Sequence, residues 1–334
     1  MYEQADKIKE LIDQAKNILV IQADNPDADS LGSALALEDI LEKMDKKVYL
    51  QCSVDMPSYL RYMKGWDRVN KDIPSTFDLT IIEDASTLTL LEKLIDNGQI
   101  NKLKSKPLIV LDHHAIVENT IPFETIKIND AGRASAGELI YVLCKQLKWV
   151  VSKEAQEFIM SSILGDTQGL SNSLASSETY RIMAEMVENG VNRPKLEETR
   201  REYSKMTKSI YEFKAELIQR TKFTFEDRIA YIELNQKDIN EYSPQYNPAP
   251  LINMDMLSVE HVLLTIVFKC YADGKLTGAI RSNQTAPMAN KLAESMGGGG
   301  HSFASGFKID KTDDMHESIN KCLQTAESLL KEFI

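Results

Sequence analysis

Through the first half of the chain, short unbroken apolar runs alternate with longer stretches whose apolar residues recur every three or four positions. Residues 17–22, NILVIQ, form the first run; Leu31, Leu35, Leu37, Ile40, Leu41 and Met44 then follow at helical spacing. The run predicts a buried strand and the spacing a helix, with a polar turn between them. The pattern recurs. Residues 47–52, 79–83 (LTIIE) and 108–111 (LIVL) predict three further strands. Strands separated by helices imply the α/β class, with a mostly parallel sheet and helices on both faces. Polar residues stand just after three of these strands: DNPDAD from Asp24 to Asp29, then Asp84, then Asp112-His113-His114. In an open α/β sheet that edge is where ligands bind.

Helical spacing continues from Ser135 to Val187, enclosing Gly165-Asp166-Thr167, and breaks at Asn189–Arg193. Lys195 to Leu217 predicts one charged connecting helix. From about Arg220 the character changes. TKFTFEDRIAYIEL predicts a hairpin around Asp227, and HVLLTIVFKCYADGKLTGAIRS a second one turning at Asp273-Gly274. Met288–Met296 predicts a short helix, GGGGHSFASGFKI follows it, and a last helix runs from about Asp313 to Phe333. The expected organisation is an N-terminal domain over 1–190, a helical connector over 191–219 and a smaller C-terminal α/β domain over 220–334.

The length of 334 residues agrees with two domains. Hydrophobic residues make up 43 % and charged residues 27 %, as in ordinary soluble proteins. No apolar stretch approaches the ~20 residues of a membrane span. The opening MYEQADKIKELIDQAK lacks the apolar core of a signal peptide. The expectation is a cytoplasmic chain without a membrane partner. Cys52, Cys144, Cys270 and Cys322 are scattered and read as reduced thiols. A net charge of -11 argues against a protein that coats long duplex nucleic acid. Small phosphorylated ligands remain compatible, because bound divalent cations would offset clustered carboxylates locally.

Asp27 and Asp29 on one turn, Asp84 and His113 from other strand ends and Asp166 near a helix end supply hard oxygen donors with an imidazole. That set suits Mn²⁺ or Mg²⁺ better than Zn²⁺. Two ions sharing an aspartate about 3.5–4 Å apart would activate a water and clamp phosphoryl oxygens. Plainer readings stand beside this one. Asp24, Asn25 or Asp29 could cap the helix at Leu31. Asp112-His113-His114 could be buried polar structure. The tetraglycine could be a turn, and Arg281 a surface residue. His261 reads as a packed strand residue and His316 as a solvated helix residue.

Taken in order, D24-N-P-D27-A-D29-S-L-G-S33, D84-A-S86, D112-H-H114, G165-D166-T167 and G297-G-G-G-H301 with A304-S-G306 resemble the DHH phosphoesterase superfamily. The resemblance spans nearly the whole chain, includes a C-terminal domain of the DHHA1 type, and is greatest with the nanoRNase/pAp-phosphatase branch. It implies a two-metal hydrolase, with Mn²⁺ expected and Mg²⁺ an alternative. Asp29, Asp84, His113 and Asp166 would hold one ion. Asp27 and Asp84 would hold the other, with a histidine four residues before Asp27. His114, backed by Asp112, would face the scissile phosphate. Arg281 and Ser282 of "AIRSN" and the run Gly299, Gly300 and His301 would bind substrate in a cleft between the domains. Arginine suits a phosphate through its paired N–H donors, and glycines let backbone amides approach an anion. The implied substrates are short oligonucleotides, linear dinucleotides such as pGpG or pApA, or 3′-phosphoadenosine 5′-phosphate. A homodimer is an expectation by analogy alone.

Ala23 stands where the family's histidine would be, and Ala28 where glycine is common. Alanine cannot ligate. Asp24 could swing in as a substitute, the affected ion could bind loosely, or catalysis could be lost, leaving a nucleotide-binding sensor. Retained hydrolysis is the favoured expectation, since every other ligand position is filled. A RecJ-type exonuclease on longer single strands would favour a basic, aromatic-lined channel, which the acidic composition does not supply.

Overall fold

A computed structural model describes residues 1–114, 120–124, 126–243 and 246–334; for His301 it describes the backbone alone. The chain divides into two compact units, Met1–Lys205 and Met206–Ile334.

The first unit contains helices α1 (Ala5–Gln14), α2 (Ala28–Glu42), α3 (Glu92–Asp96), α4 (Ile100–Leu103), α5 (Ala136–Leu147), α6 (Lys153–Asp166), α7 (Ser177–Glu188) and α8 (Arg193–Tyr203). Its strands are β1 (Asn17–Ile21), β2 (Lys47–Gln51), β3 (Leu79–Glu83), β4 (Leu108–Asp112) and β5 (Ile126–Asn129). They form one parallel sheet in the order β2-β1-β3-β4-β5. β1, β3 and β4 are apolar and almost wholly buried, as strands covered on both faces must be. Ile18, Val20, Ile81, Ile109 and Leu111 pack under α2, α5 and α6. Leu19, Ile21, Ile82, Leu108 and Val110 pack under Leu91, Leu94, Ile100 and Leu103 on the other face. Because the strands are parallel, their C-terminal ends share one edge. The chain leaves β1 to one side for β2 and returns on its other side as β3, so that edge has its topological switch between β1 and β3.

The second unit contains α9 (Lys208–Arg220), α10 (Gln236–Tyr242), α11 (Pro248–Leu257), α12 (Ala289–Ser295) and α13 (Met315–Leu330). Strands β6 (Lys222–Thr224), β7 (Ile229–Leu234), β8 (Leu264–Cys270), β9 (Leu276–Ser282), β10 (Gly299–His301) and β11 (Ala304–Ile309) form a mixed sheet ordered β10-β11-β9-β8-β7-β6. Only the β7–β8 pair is parallel among the described pairings. Strand alternation sends Ile266, Phe268, Ile280 and Phe307 toward Leu292, Ile319 and Cys322. Ala230, Ile232 and Val267 face Phe213, Leu217, Ile252 and Met256 on the opposite side.

Several expectations need correction. The single helix predicted over Lys195–Leu217 is two helices, because Thr207 accepts from the Ile210 N–H and starts α9 afresh. β5 was not predicted: only Ile126 and Ile128 are buried in a four-residue edge strand, too short for a clear period. α11 was not predicted because PAPLINMDML opens with two prolines. Both fall in its first turn, behind the Asn247 cap, where no intrahelical N–H is required. His261 is exposed in a left-handed turn, φ +69°, before β8 begins, and is not a packed strand residue.

Candidate metal centre

The turn after β1 begins α2 three residues earlier than the apolar spacing implies. Asp27 is the cap. Its Oδ1 accepts the N–H groups of Asp29 (2.9 Å) and Ser30 (3.0 Å), and Ser30 Oγ accepts the Asp27 N–H. Asp29, in the first turn, is fully buried. Its Oδ2 accepts from the Ala136 N–H at 2.7 Å, and its Oδ1 from the Gly137 N–H at 3.2 Å. Asp84 follows β3 with φ +54°, held there as its N–H donates to Leu111 of β4. Aspartate tolerates this left-handed conformation better than most residues, and such strain is concentrated at functional sites. β4 ends at Asp112, and His113 and His114 project just beyond it. Asp166 is the last residue of α6.

These elements converge on one imidazole. His113 Nε2 lies 3.0 Å from Asp166 Oδ2, 3.4 Å from Asp29 Oδ2 and 3.6 Å from Asp84 Oδ1. His113 Nδ1 is 3.3 Å from the Arg133 carbonyl, to which it donates, so Nε2 is the nitrogen that faces the carboxylates. That carbonyl sits in a braced loop: the Arg133 Nε donates to Asp130 at 3.0 Å, and its guanidinium pairs with Glu178 at 3.0 Å. His114 Nδ1 donates to Asp112 Oδ1 at 2.7 Å, and Ser86 donates to the other Asp112 oxygen.

The electrostatics follow from crowding. Burial disfavours charge on His113, but Asp166, Asp29 and Asp112 outweigh it and lift the imidazole to about 9. Burial, then the charge of Asp29, push Asp166 up to about 7. The same two causes hold Asp84 well above the usual carboxylate range. Burial would also raise Asp112, yet donation from the His114 ring and Ser86 holds it below that range. Like charges gathered this closely are costly without a cation.

The donor set fits a divalent ion. Asp29, His113 and Asp166 place ligand atoms within 4.8 Å of one another, and so do Asp84, His113 and His114. Asp84 Oδ1 and His113 Nε2 are buried atoms that make no directed hydrogen bond. Buried polar atoms left this way call for a missing partner, and a metal supplies one. Asp27 and Asp24 belong to neither group. Asp24 Oδ2 accepts from the Lys93 N–H at 2.8 Å at the α3 entry, its own N–H donates to Leu90, and its Oδ1 is a buried atom that makes no hydrogen bond among the described residues. Ala23 lies in an apolar cluster with Ile73, Phe77 and Leu91. Ala28 is accommodated by its neighbour: a Cβ on Gly165 would lie 2.7 Å from that of Ala28.

Sequence reading missed Glu83. It ends β3 and is fully buried, with Ser33 donating to one oxygen and the other unpartnered, and burial raises it well above the usual range. At a strand end it reads as the first exposed residue, and nothing local shows that α2 covers it.

In the second unit, Arg281 lies on β9 opposite Thr265 and Ala304. Its Nη1 donates to the Ile280 carbonyl at 2.8 Å, and among the described residues it makes no ion pair. Ser282 donates to the Ser302 carbonyl at 2.8 Å. The predicted glycine loop is partly strand: Gly299, Gly300 and His301 pair with Gly306, Ser305 and Ala304 at the sheet edge. Ala304 therefore stands between His301 and Arg281 in one row. Gly300 has φ +135°, and a Cβ there would meet Ser305 Oγ at 2.7 Å, so glycine is required.

A parallel α/β sheet gathering carboxylates and histidines at its switch-point edge defines the first unit as an α/β domain with a candidate metal centre. Residues 17–165 of that domain match the model described as the DHH family, N-terminal domain. The chain is 23 % identical over 317 residues to the bifunctional oligoribonuclease and PAP phosphatase NrnA of Bacillus subtilis, covering 92 % of each chain. It is 22 % identical over 320 residues to the probable enzyme of that name in Streptococcus mutans, covering 92 % of this chain and 95 % of the relative. A crystal structure of an exopolyphosphatase-related protein from Bacteroides fragilis superposes with a TM-score of 0.83 at 23 % identity, covering 98 % of this chain and 97 % of that one. The last likeness extends the shared fold across both units.

Proposed function

We propose that the chain is a divalent-metal-dependent phosphoesterase hydrolysing short oligonucleotides, linear dinucleotides or 3′-phosphoadenosine 5′-phosphate to mononucleotides. The observation that carries this reading is the convergence of Asp29, Asp84 and Asp166, from three separate segments, on Nε2 of His113. These four residues are assigned as ligands of one Mn²⁺ or Mg²⁺. A bound ion there would supply an activated water and charge neutralisation for phosphoryl transfer. His114, oriented by Asp112, is assigned to the scissile phosphate, where it holds or moves a proton. Arg281 is assigned to a substrate phosphate, with Ser282 and the segment Gly299, Gly300 and His301 beside it in the DHHA1-type unit.

Asp27 and Asp84 are assigned to a second ion. Ala23 brings no donor to it, and one of the two Asp24 oxygens is held by the Lys93 N–H. The second ion is therefore expected to bind weakly and to demand high Mn²⁺. The decisive experiment is hydrolysis of pGpG, pApA, a five-nucleotide RNA and pAp across Mn²⁺ and Mg²⁺ concentrations, with Asp166→Ala alongside. Turnover lost in the variant supports the reading, with a deficit beyond the roughly 10–100-fold typical of an outer-shell partner. Tight nucleotide binding without turnover in excess Mn²⁺ would replace it with a nucleotide sensor.

A further inference from the structure

Asp29 has a partner on α6 that no motif contains. Ser162 is fully buried, and its Oγ lies 2.6 Å from Asp29 Oδ1 and 2.8 Å from Ser135 Oγ. Ser135 caps α5, accepting the Glu138 N–H at 3.0 Å. A hydroxyl carries one proton. With the Ser162 proton on the carboxylate, the Ser135 O–H completes the chain by donating to Ser162 Oγ.

The seat for this hydroxyl is built by two missing side chains. A Cβ on Gly137 of α5 would come within 2.2 Å of Ser162 Oγ, and one on Gly32 of α2 within 3.2 Å of Ser162 Cβ. Three helices close on one serine, and it points at one carboxylate.

We propose that Ser162 is a positioning residue for the metal ligand Asp29. Asp29 Oδ1 is occupied by Ser162 and the Gly137 N–H. Oδ2 takes the Ala136 N–H and keeps a lone pair toward His113 and Asp166. The carboxylate is thereby held to one-oxygen ligation in a fixed direction. The proposal rests on the assignment of Asp29 as a ligand.

The test is direct Mn²⁺ titration by calorimetry on the full chain, beside thermal melts of the metal-free proteins. Ser162→Ala should weaken Mn²⁺ binding by about 10–100-fold, the usual effect of losing a partner that orients a ligand. Ser162→Cys, with a weak donor of similar size, should fall between. Ser161→Ala is the control: that serine is also buried on α6, but its hydroxyl bonds the Glu157 carbonyl. Its Mn²⁺ affinity should stay within twofold of the unsubstituted chain. An unchanged Ser162→Ala affinity, with Asp29→Ala unable to bind, would overturn the positioning role alone. Equal weakening in Ser161→Ala would overturn it as a general disturbance of α6. Undiminished binding by Asp29→Ala would remove the ligand assignment and this proposal with it.

Discussion

The two units treat unpaired charge in opposite ways. The first gathers Asp29, Asp84, Asp166 and the buried Glu83 at one sheet edge, and leaves Asp84 Oδ1 and His113 Nε2 without directed partners. The second half-buries one guanidinium, that of Arg281, with a backbone carbonyl as its partner. Burial alone lowers the pKa of Arg281. Other arginines are paired with acids, as Arg220 is with Asp238 and Arg133 with Asp130 and Glu178. An arginine buried without an acid is costly unless an anion completes it. The comparison sets carboxylates open to a cation in the first unit beside a guanidinium open to an anion in the second. A metal-dependent phosphoesterase needs both.

The strongest way to break this comparison is Arg281→Ala. If Arg281 holds a phosphate, the substitution should cost about 2 kcal/mol or more in substrate binding, roughly 30-fold in KM. Mn²⁺ affinity, read by calorimetry, should not move, because the donors lie in the other unit. Arg281→Lys should recover only part of the loss, since an ammonium cannot make the paired contact. A KM unchanged in Arg281→Ala would return the arginine to plain structure.

A smaller effect sharpens the cation half. In the metal-free chain the surrounding carboxylates lift His113 to about 9, and burial with the charge of Asp29 lifts Asp166 to about 7. Both must be deprotonated to ligate, so protons compete with the ion. Mn²⁺ affinity should therefore rise with pH from 6 toward about 9, by up to roughly tenfold per unit for each proton displaced. Calorimetry in buffers of different ionisation enthalpy should show proton release that diminishes above about 9. Affinity independent of pH over that span would mean that His113 is not a ligand.

Two strand ends were legible because the apolar runs LTIIE and LIVL stop at charged residues. Asp84 and Asp112-His113-His114 could be placed on one edge from that alone. Asp27 was legible as a turn residue, but the cap was expected at Asp24, Asn25 or Asp29 and falls to Asp27 through backbone geometry that no spacing reveals. Glu83 and Ser162 were not legible. Each is buried only when helices packed from distant parts of the chain cover it, and Gly32 and Gly137 signal the approach at Ser162 only after the contacts are seen. In the second unit Arg281 stood out by motif, whereas its lack of an acidic partner is a tertiary fact.

The finest test concerns how the first unit carries Ala28 in its Asp27-Ala28-Asp29 turn. Gly165, one residue before Asp166, is the position that makes room, with 2.7 Å between its hypothetical Cβ and that of Ala28. Gly165→Ala should destabilise the protein by about 1–3 kcal/mol through overpacking, despite the higher helix propensity of alanine. Ala28→Gly alone should cost less than about 1 kcal/mol in the first turn of α2. In the double variant the clash is gone, so the two changes should couple favourably by at least about 0.5 kcal/mol, measured by urea unfolding in a double-mutant cycle. Additive effects would mean that residues 28 and 165 do not touch. Coupling would show that the turn bearing Asp29 and the helix end bearing Asp166 are fitted to each other directly, one residue away from each ligand.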